Sequence, residues 1–229
     1  MTDGLANNHE AVFFDLDGTL VDTAPDMVGA LQDLQRVLGR RPIEYDIGRS
    51  NVSNGAAGLL KIGFPDLDDD DRKRLVQEYL DRYSPRVSMQ TIVFPGLDEL
   101  LLRLDDAKCP WGVVTNKPEF LTTPLMAALG LDGRSKATIS GDTLEVRKPA
   151  PEPLLHACEL AGVRPQTSLY IGDALRDIEA GQAAGMTTVA AAYGYITDDD
   201  DPGSWGADIV VTNTRELAQI VLKAVNLTV

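Results

Sequence analysis

Short apolar runs, each closing on polar residues, recur along the chain: AVFF (11–14), GVVTN (112–116), ATIS (137–140), SLYIGD (168–173), TTVAAA (187–192) and IVV (209–211). Unbroken apolarity over so few residues predicts strands buried on both faces, as in a parallel sheet. The stretches between them carry the three-to-four-residue apolar spacing of helices, at 97–104, 120–129, 153–161, 175–184 and 214–225. Alternation of this kind predicts an α/β fold built on a doubly wound parallel sheet. One region breaks the alternation. From 26 to 91 only helical patterns occur, at 27–38, 56–62 and 72–83, punctuated by Pro42, Gly55, Pro65 and Pro85. It reads as a small all-helical cap (25–91) inserted after the first strand of a core (1–24 and 92–229), with hinges at 23–26 and 90–95.

Composition narrows the chemistry. The 229 residues hold 35 acidic and 21 basic side chains, a formal charge of −14. Such a surface repels nucleic acid and anionic lipid, so neither is an expected partner. No run approaches the roughly 18 apolar residues of a membrane span. The opening MTDGLANNHE lacks the basic-then-apolar order of an export signal, so it is expected to be a polar tail and the location cytoplasmic. Cys109 and Cys158 are then expected to be reduced thiols, and with only two histidines there is no material for a zinc site. Carboxylates are what the chain has in quantity.

In a doubly wound sheet, ligands sit beyond the carboxyl ends of the strands. There the first run ends in Asp15-Leu16-Asp17-Gly18-Thr19. Alternate residues of an extended segment point the same way, so Asp15 and Asp17 can reach one pocket, and Gly18 permits a sharp turn after them. Asp173 ends another strand, with Asp177 one helical turn further on. Thr115 and Asn116 end a third, and Lys148 precedes a Pro149-Ala150-Pro151 turn.

Those four pieces, in that order, resemble the haloacid dehalogenase-like superfamily of hydrolases: DLDGTLVDT its first motif, VVTN its second, the lysine of RKPAPEP its third and GDALRD its fourth. Within it the chain is similar to the phosphoglycolate phosphatase group, and to N-acetylmuramic acid 6-phosphate phosphatases through WGVVTNKP, GDALRDIEAG and AAYGYI. The resemblance implies a phosphatase acting on a small phosphorylated metabolite. Asp15 would be the nucleophile that forms an aspartyl-phosphate, and Asp17 the acid for the leaving alcohol and then the base for water. It assigns Mg²⁺ to Asp15, the backbone carbonyl of Asp17, and Asp173, with Asp177 orienting a metal-bound water or holding Lys148. Thr115, Asn116 and Lys148 would bind the phosphoryl oxygens. An acid at position 17 sets the chain apart from the dehalogenases, phosphonatases and P-type ATPases of the superfamily. It leaves a phosphosugar mutase open, and a non-catalytic phosphate-binding protein is a further alternative. In the cap, Arg49, Ser53 and Asn54 are the expected readers of substrate, with Arg49 pairing to a carboxylate of 2-phosphoglycolate or N-acetylmuramic acid 6-phosphate.

Three other features have plainer readings. Cys158 and Arg164 have the spacing of a cysteine-phosphatase loop, but PLLHACELAG predicts a helix and a buried thiol. The acidic runs 68–71 and 198–201 read as helix N-terminal charge and solvated loops. Trp111 and Trp205 read as packing or loop anchors.

Overall fold

The structure, a computed structural model, describes residues 9–228; the polar tail expected at the start therefore lies outside the described residues except for its last two. Every apolar run forms a strand: β1 (Ala11–Phe14), β4 (Trp111–Val114), β5 (Thr138–Ile139), β6 (Ser168–Gly172), β7 (Thr187–Ala191) and β8 (Ile209–Val211). They make one sheet in the order β5-β4-β1-β6-β7-β8, parallel at every pairing. The chain winds outward from β1 through β4 to β5, then crosses to β6 and winds the other way. The reversal falls at β1, whose Phe14 pairs with Val113 on one side and Ile171 on the other. The carboxyl ends of β1, β4 and β6 thus lie side by side at the switch point, where a doubly wound sheet opens a crevice.

Between β1 and β4 the chain leaves the sheet through β2 (Val21–Asp22) and returns through β3 (Ile92–Val93), an antiparallel pair with Val21 opposite Val93 and Asp22 opposite Ile92. These two strands were not expected, because two residues are too few to show a period. Buried Asp26 fastens the pair: its Oδ2 accepts from Gln90 N (2.8 Å), Thr91 N (2.9 Å) and Thr91 Oγ1 (2.8 Å). Beyond it stand α1 (Ala24–Val37), α2 (Tyr45–Arg49), α3 (Gly55–Gly63) and α4 (Asp69–Tyr83). The expected helices are α1, α3 and α4. The five-residue α2 carries no apolar stripe and escaped the pattern. It is held by close approach: a Cβ on Gly48 would stand 2.7 Å from Val28 Cγ1 of α1. The run 68–71 behaves as charge at a helix start. Asp68 caps α4 by accepting from Asp71 N at 2.9 Å, and Asp69, Asp70 and Asp71 pair with Arg72, Lys73 and Arg74 one turn on.

The remaining helices cover the sheet. Val12 and Phe14 face α5 (Leu97–Asp106), α6 (Glu119–Ala128) and α9 (Thr214–Ala224), while Ala11 and Phe13 face α7 (Glu152–Ala161) and α8 (Leu175–Ala184). Both faces of β1 are therefore dry, which is why its sequence does not alternate. Cys158 is buried within α7, and burial raises its thiol pKa, while Arg164 lies 3.6 Å from Glu10; no phosphate loop forms there. Both cysteines are free thiols. Trp111 and Trp205 anchor loops through Asp105 Oδ1 (2.7 Å) and Asp200 Oδ1 (2.8 Å). No described helix is long and apolar enough to cross a membrane.

Candidate active site

Asp15 leaves the end of β1 with its backbone N–H still bonded to Ile171 O at 2.8 Å, so the sheet fixes its Cα. Gly18 then turns the chain at φ +85°, and no other residue fits: an added Cβ would lie 2.1 Å from Asp173 Oδ2. Asp173 follows β6, and Asp177 stands in the first turn of α8, where its Oδ2 accepts from Ala174 N at 3.1 Å. One carboxylate oxygen from each of Asp15, Asp173 and Asp177 falls within 4.8 Å of the others, and all three residues are buried.

Lys148 meets this cluster from the β5 side. Its Nζ lies 2.8 Å from Asp15 Oδ1, 2.7 Å from Asp177 Oδ1, 2.8 Å from Val114 O and 2.7 Å from Tyr170 Oη. Burial works against the ammonium charge, but Asp15 and Asp177 outweigh it and hold the lysine pKa above its ordinary value. Asn116 grips the peptide that carries Lys148: its Nδ2 donates to Lys148 O (3.0 Å) and its Oδ1 accepts from Lys148 N (3.1 Å). Both ends of the Asn116 amide are thereby engaged with the backbone. Thr115 is buried, and its Oγ1 accepts from Lys117 N at 3.1 Å, which leaves its own proton to donate.

Asp173 is held under strong electrostatic pressure. Burial, then Asp15 and Asp177, push its pKa from 3.8 up to about 7, against hydrogen bonds from Ser53 Oγ (2.7 Å) and Tyr195 N (2.9 Å) that favour the ionised form. Burial also leaves Asp177 above its ordinary value despite Lys148. With all three acids ionised, Lys148 and the nearby Arg176 guanidinium still leave the cluster net negative, and a cation held by these oxygens would offset that excess. The donors are hard oxygens, the set Mg²⁺ prefers.

Asp15, Asp17, Thr115, Asn116 and Lys148 border one cavity of about 610 Å³, roofed by residues 52–57 and by Val76, Leu80 and Tyr83 of α4. Ser53 and Asn54 are part of that roof. Ser53 reaches down to Asp173, and Arg176 Nη2 donates to Ser53 O at 2.6 Å, so the turn after α2 rests directly on the acid cluster. Arg49 does not line the cavity. Its guanidinium lies 5.0 Å above the Tyr195 ring and donates to Gly194 O at 3.4 Å, because α2, pressed onto α1, aims it at the loop after β7.

Several residues of the site were not singled out from sequence. Lys117 Nζ stands 3.0 and 3.3 Å from the two Asp17 oxygens and donates to Tyr83 Oη of α4 at 2.7 Å. It directly follows Thr115-Asn116 at a strand end, a position that could have drawn attention. Arg147 and Arg176 also border the cavity, each next to an expected site residue. Tyr195 lies in the AAYGYI segment that carries the resemblance, but nothing local marks it as a site residue. It joins the site because its loop folds back, with its Oη donating to Asp22 Oδ1 at 2.8 Å and accepting from Ala24 N at 3.0 Å.

Comparison with known proteins agrees with this geometry. A family profile described as haloacid dehalogenase-like hydrolase matches residues 9–185. The chain is 42% identical over 216 residues to an N-acetylmuramic acid 6-phosphate phosphatase of Pseudomonas aeruginosa, covering 94% of this chain and 96% of that protein. It is 44% identical over 207 residues to a phosphoglycolate phosphatase of Xanthomonas campestris pv. campestris, covering 90% and 94%. Among solved structures, one from Haemophilus somnus, described as a predicted phosphoglycolate phosphatase, superposes with a TM-score of 0.82 at 25% identity, over 93% of this chain and 98% of that one. By sequence, by sheet order and by the acids gathered at its switch point, the chain belongs to the haloacid dehalogenase-like hydrolases, in the phosphatase group of these relatives.

Proposed function

We propose that the protein is a Mg²⁺-dependent phosphatase that hydrolyses a small carboxylate-bearing phosphomonoester through an aspartyl-phosphate. The observation that carries this reading is the arrangement of Asp15 and Asp17. Both open onto one cavity, and Asp15 is backed by Lys148 at 2.8 Å and by the buried acid cluster.

A carboxylate oxygen of Asp15 attacks phosphorus as the bond to the substrate oxygen breaks, and Asp17 gives its proton to the departing alcohol. Asp17, now a carboxylate, takes a proton from water. The water oxygen attacks phosphorus, the bond to Asp15 breaks, and phosphate leaves. Thr115 donates to a phosphoryl oxygen, and Lys148 offsets negative charge around the reacting group. Asn116 acts through Lys148 by fixing its peptide. Mg²⁺, held by Asp15, Asp173 and the Asp17 carbonyl, would offset the charge of the phosphoryl dianion and favour in-line approach. Asp177 holds Lys148 in place.

The helices α1–α4 are read as a cap (25–91) on a core (1–24 and 92–229), closing over the substrate and excluding water. Of the two substrates that the relatives' names suggest, N-acetylmuramic acid 6-phosphate suits the cavity better. About 610 Å³ is ample for an amino sugar and far more than a two-carbon acid fills. Apolar side chains such as Val52, Val76 and Leu80 suit an acetamido methyl, with Ser53 and Asn54 for polar groups. Phosphate release from a panel containing N-acetylmuramic acid 6-phosphate, 2-phosphoglycolate and an aryl phosphate tests this. The sugar phosphate is expected to show the highest kcat/KM. A mutase would return phosphoryl to sugar and release little phosphate, and a binding protein would release none.

A further inference from the structure

We propose that Arg147 reads the carboxylate of the substrate, a role that rests on the phosphatase reading above. The inference comes from how the cations of the cavity are used. Lys148 is committed to Asp15 and Asp177. Lys117 is committed to Asp17 and Tyr83. Arg176 donates to Ser53 O, and its guanidinium is held in the charged form by Asp177, Asp15 and Asp173 against its burial. Arg49, the candidate from sequence, is docked on Tyr195 and Gly194 outside the cavity lining. Arg147 alone among the cavity's cations is exposed and has no hydrogen bond or ion pair from its side chain to any described residue. In a chain with 35 acidic side chains, a guanidinium left unpaired beside a cavity stands ready for an anion from outside.

Its anchorage suits the task. Arg147 immediately precedes Lys148, whose N–H and carbonyl are both gripped by Asn116, so its backbone is fixed to the phosphoryl end of the site while its side chain is free. Residues 147–149 border the same cavity as Asp15 and Thr115, so a ligand held at Asp15 and Thr115 and filling that cavity comes within reach of Arg147. A planar guanidinium can engage both oxygens of a carboxylate there, which a lysine cannot.

Two matched pairs test the proposal, each differing only at the carboxylate-bearing group: N-acetylmuramic acid 6-phosphate against N-acetylglucosamine 6-phosphate, and 2-phosphoglycolate against 2-hydroxyethyl phosphate. The wild-type protein should prefer the charged member in at least one pair. Arg147→Gln should lower that preference by roughly 10-fold or more, chiefly through KM, with a much smaller change on the neutral member, and Arg147→Lys should fall between. Equal losses on charged and neutral members would overturn the proposal, since the substitution would then act through Lys148. No preference in the wild-type protein would also overturn it while leaving the phosphatase reading standing. Absence of phosphate release from every compound would overturn both.

Discussion

At the scale of single residues, the site depends on side chains that cannot be exchanged for near neighbours. Asp15→Asn keeps the shape of the residue but removes the proposed nucleophile. Turnover should fall at least ~10³-fold, with the circular dichroism spectrum unchanged, given the usual scale of covalent catalysis. Residual wild-type activity, once deamidation is excluded by mass spectrometry, would rule out the aspartyl-phosphate. Asp17→Asn should cost roughly 10²–10⁴-fold, the ordinary contribution of general acid–base chemistry, and should slow both formation and breakdown of the intermediate in rapid-quench measurements. Gly18 answers to sterics instead. Its φ of +85° disfavours any side chain, and a Cβ would press on Asp173 Oδ2 and the Tyr195 ring. Gly18→Ala should destabilise the fold by roughly 2–4 kcal/mol in urea titrations, the sum of left-handed strain and overpacking. A change within error would mean that the turn relaxes at little cost.

At the scale of elements, the contact between α4 and the sheet is the informative one. Tyr83 at the end of α4 accepts from Lys117, which itself pairs with Asp17, and the lysine also lies 4.8 Å from the tyrosine ring centroid. A buried ammonium with these partners ties the helical segment to the strand ends that carry the site. A double-mutant cycle with Tyr83→Phe and Lys117→Met should give a stability coupling of at least ~0.5 kcal/mol, as contacting buried pairs do. Simple additivity would show that the two side chains do not meet in solution. The Ser53 and Arg176 contacts make a second tie at the acid cluster. Together they describe the helical segment seated on the sheet, whereas the two-residue strands β2 and β3 with Asp26 form a narrow connection behind it.

At the scale of the whole molecule, stored electrostatic strain links metal, pH and stability. Asp173 has a folded pKa of about 7 against an ordinary 3.8, set by burial, Asp15 and Asp177. A raised folded pKa means that the native state holds a proton which the unfolded chain gives up. This contribution to stability is complete below about pH 4 and is lost as pH rises towards and through 7. In chelator, Tm should therefore fall across that window, and Asp173→Asn should flatten the slope. Identical slopes in the two proteins would remove Asp173 as the cause. Mg²⁺ should raise Tm most above pH 7, where the cluster carries its full charge. Excess chelator should abolish phosphate release and Mg²⁺ restore it. Ca²⁺, with longer and looser coordination, should restore it poorly. Full activity in chelator would contradict a metal-dependent reaction.

Much of this was legible in the sequence, for physical reasons that can be named. Strands buried on both faces must be apolar at every position, so AVFF and SLYIG announce themselves, and polar residues at their ends are confined to the crevice of a doubly wound sheet. Asp15, Thr115 and Asp173 could thus be placed by local pattern alone. Asp17, one alternation beyond Asp15, and Asp177, one helical turn beyond Asp173, followed the same way. What escaped were contacts set by chain segments far apart in sequence. Nothing local tells that Lys117 meets Asp17 across 100 residues, or that the loop bearing Tyr195 folds back onto Asp22 and Asp173. Arg49 shows the limit most clearly. Its charge and its place before a glycine-ended polar turn mark it as an expected reader of substrate, yet with Gly48 packed closely against Val28 its guanidinium lies on the Tyr195 ring, outside the cavity lining. Residue type and period fix which side chains can do chemistry; packing between distant segments decides which cations are consumed by the fold and which, like Arg147, are left facing the cavity.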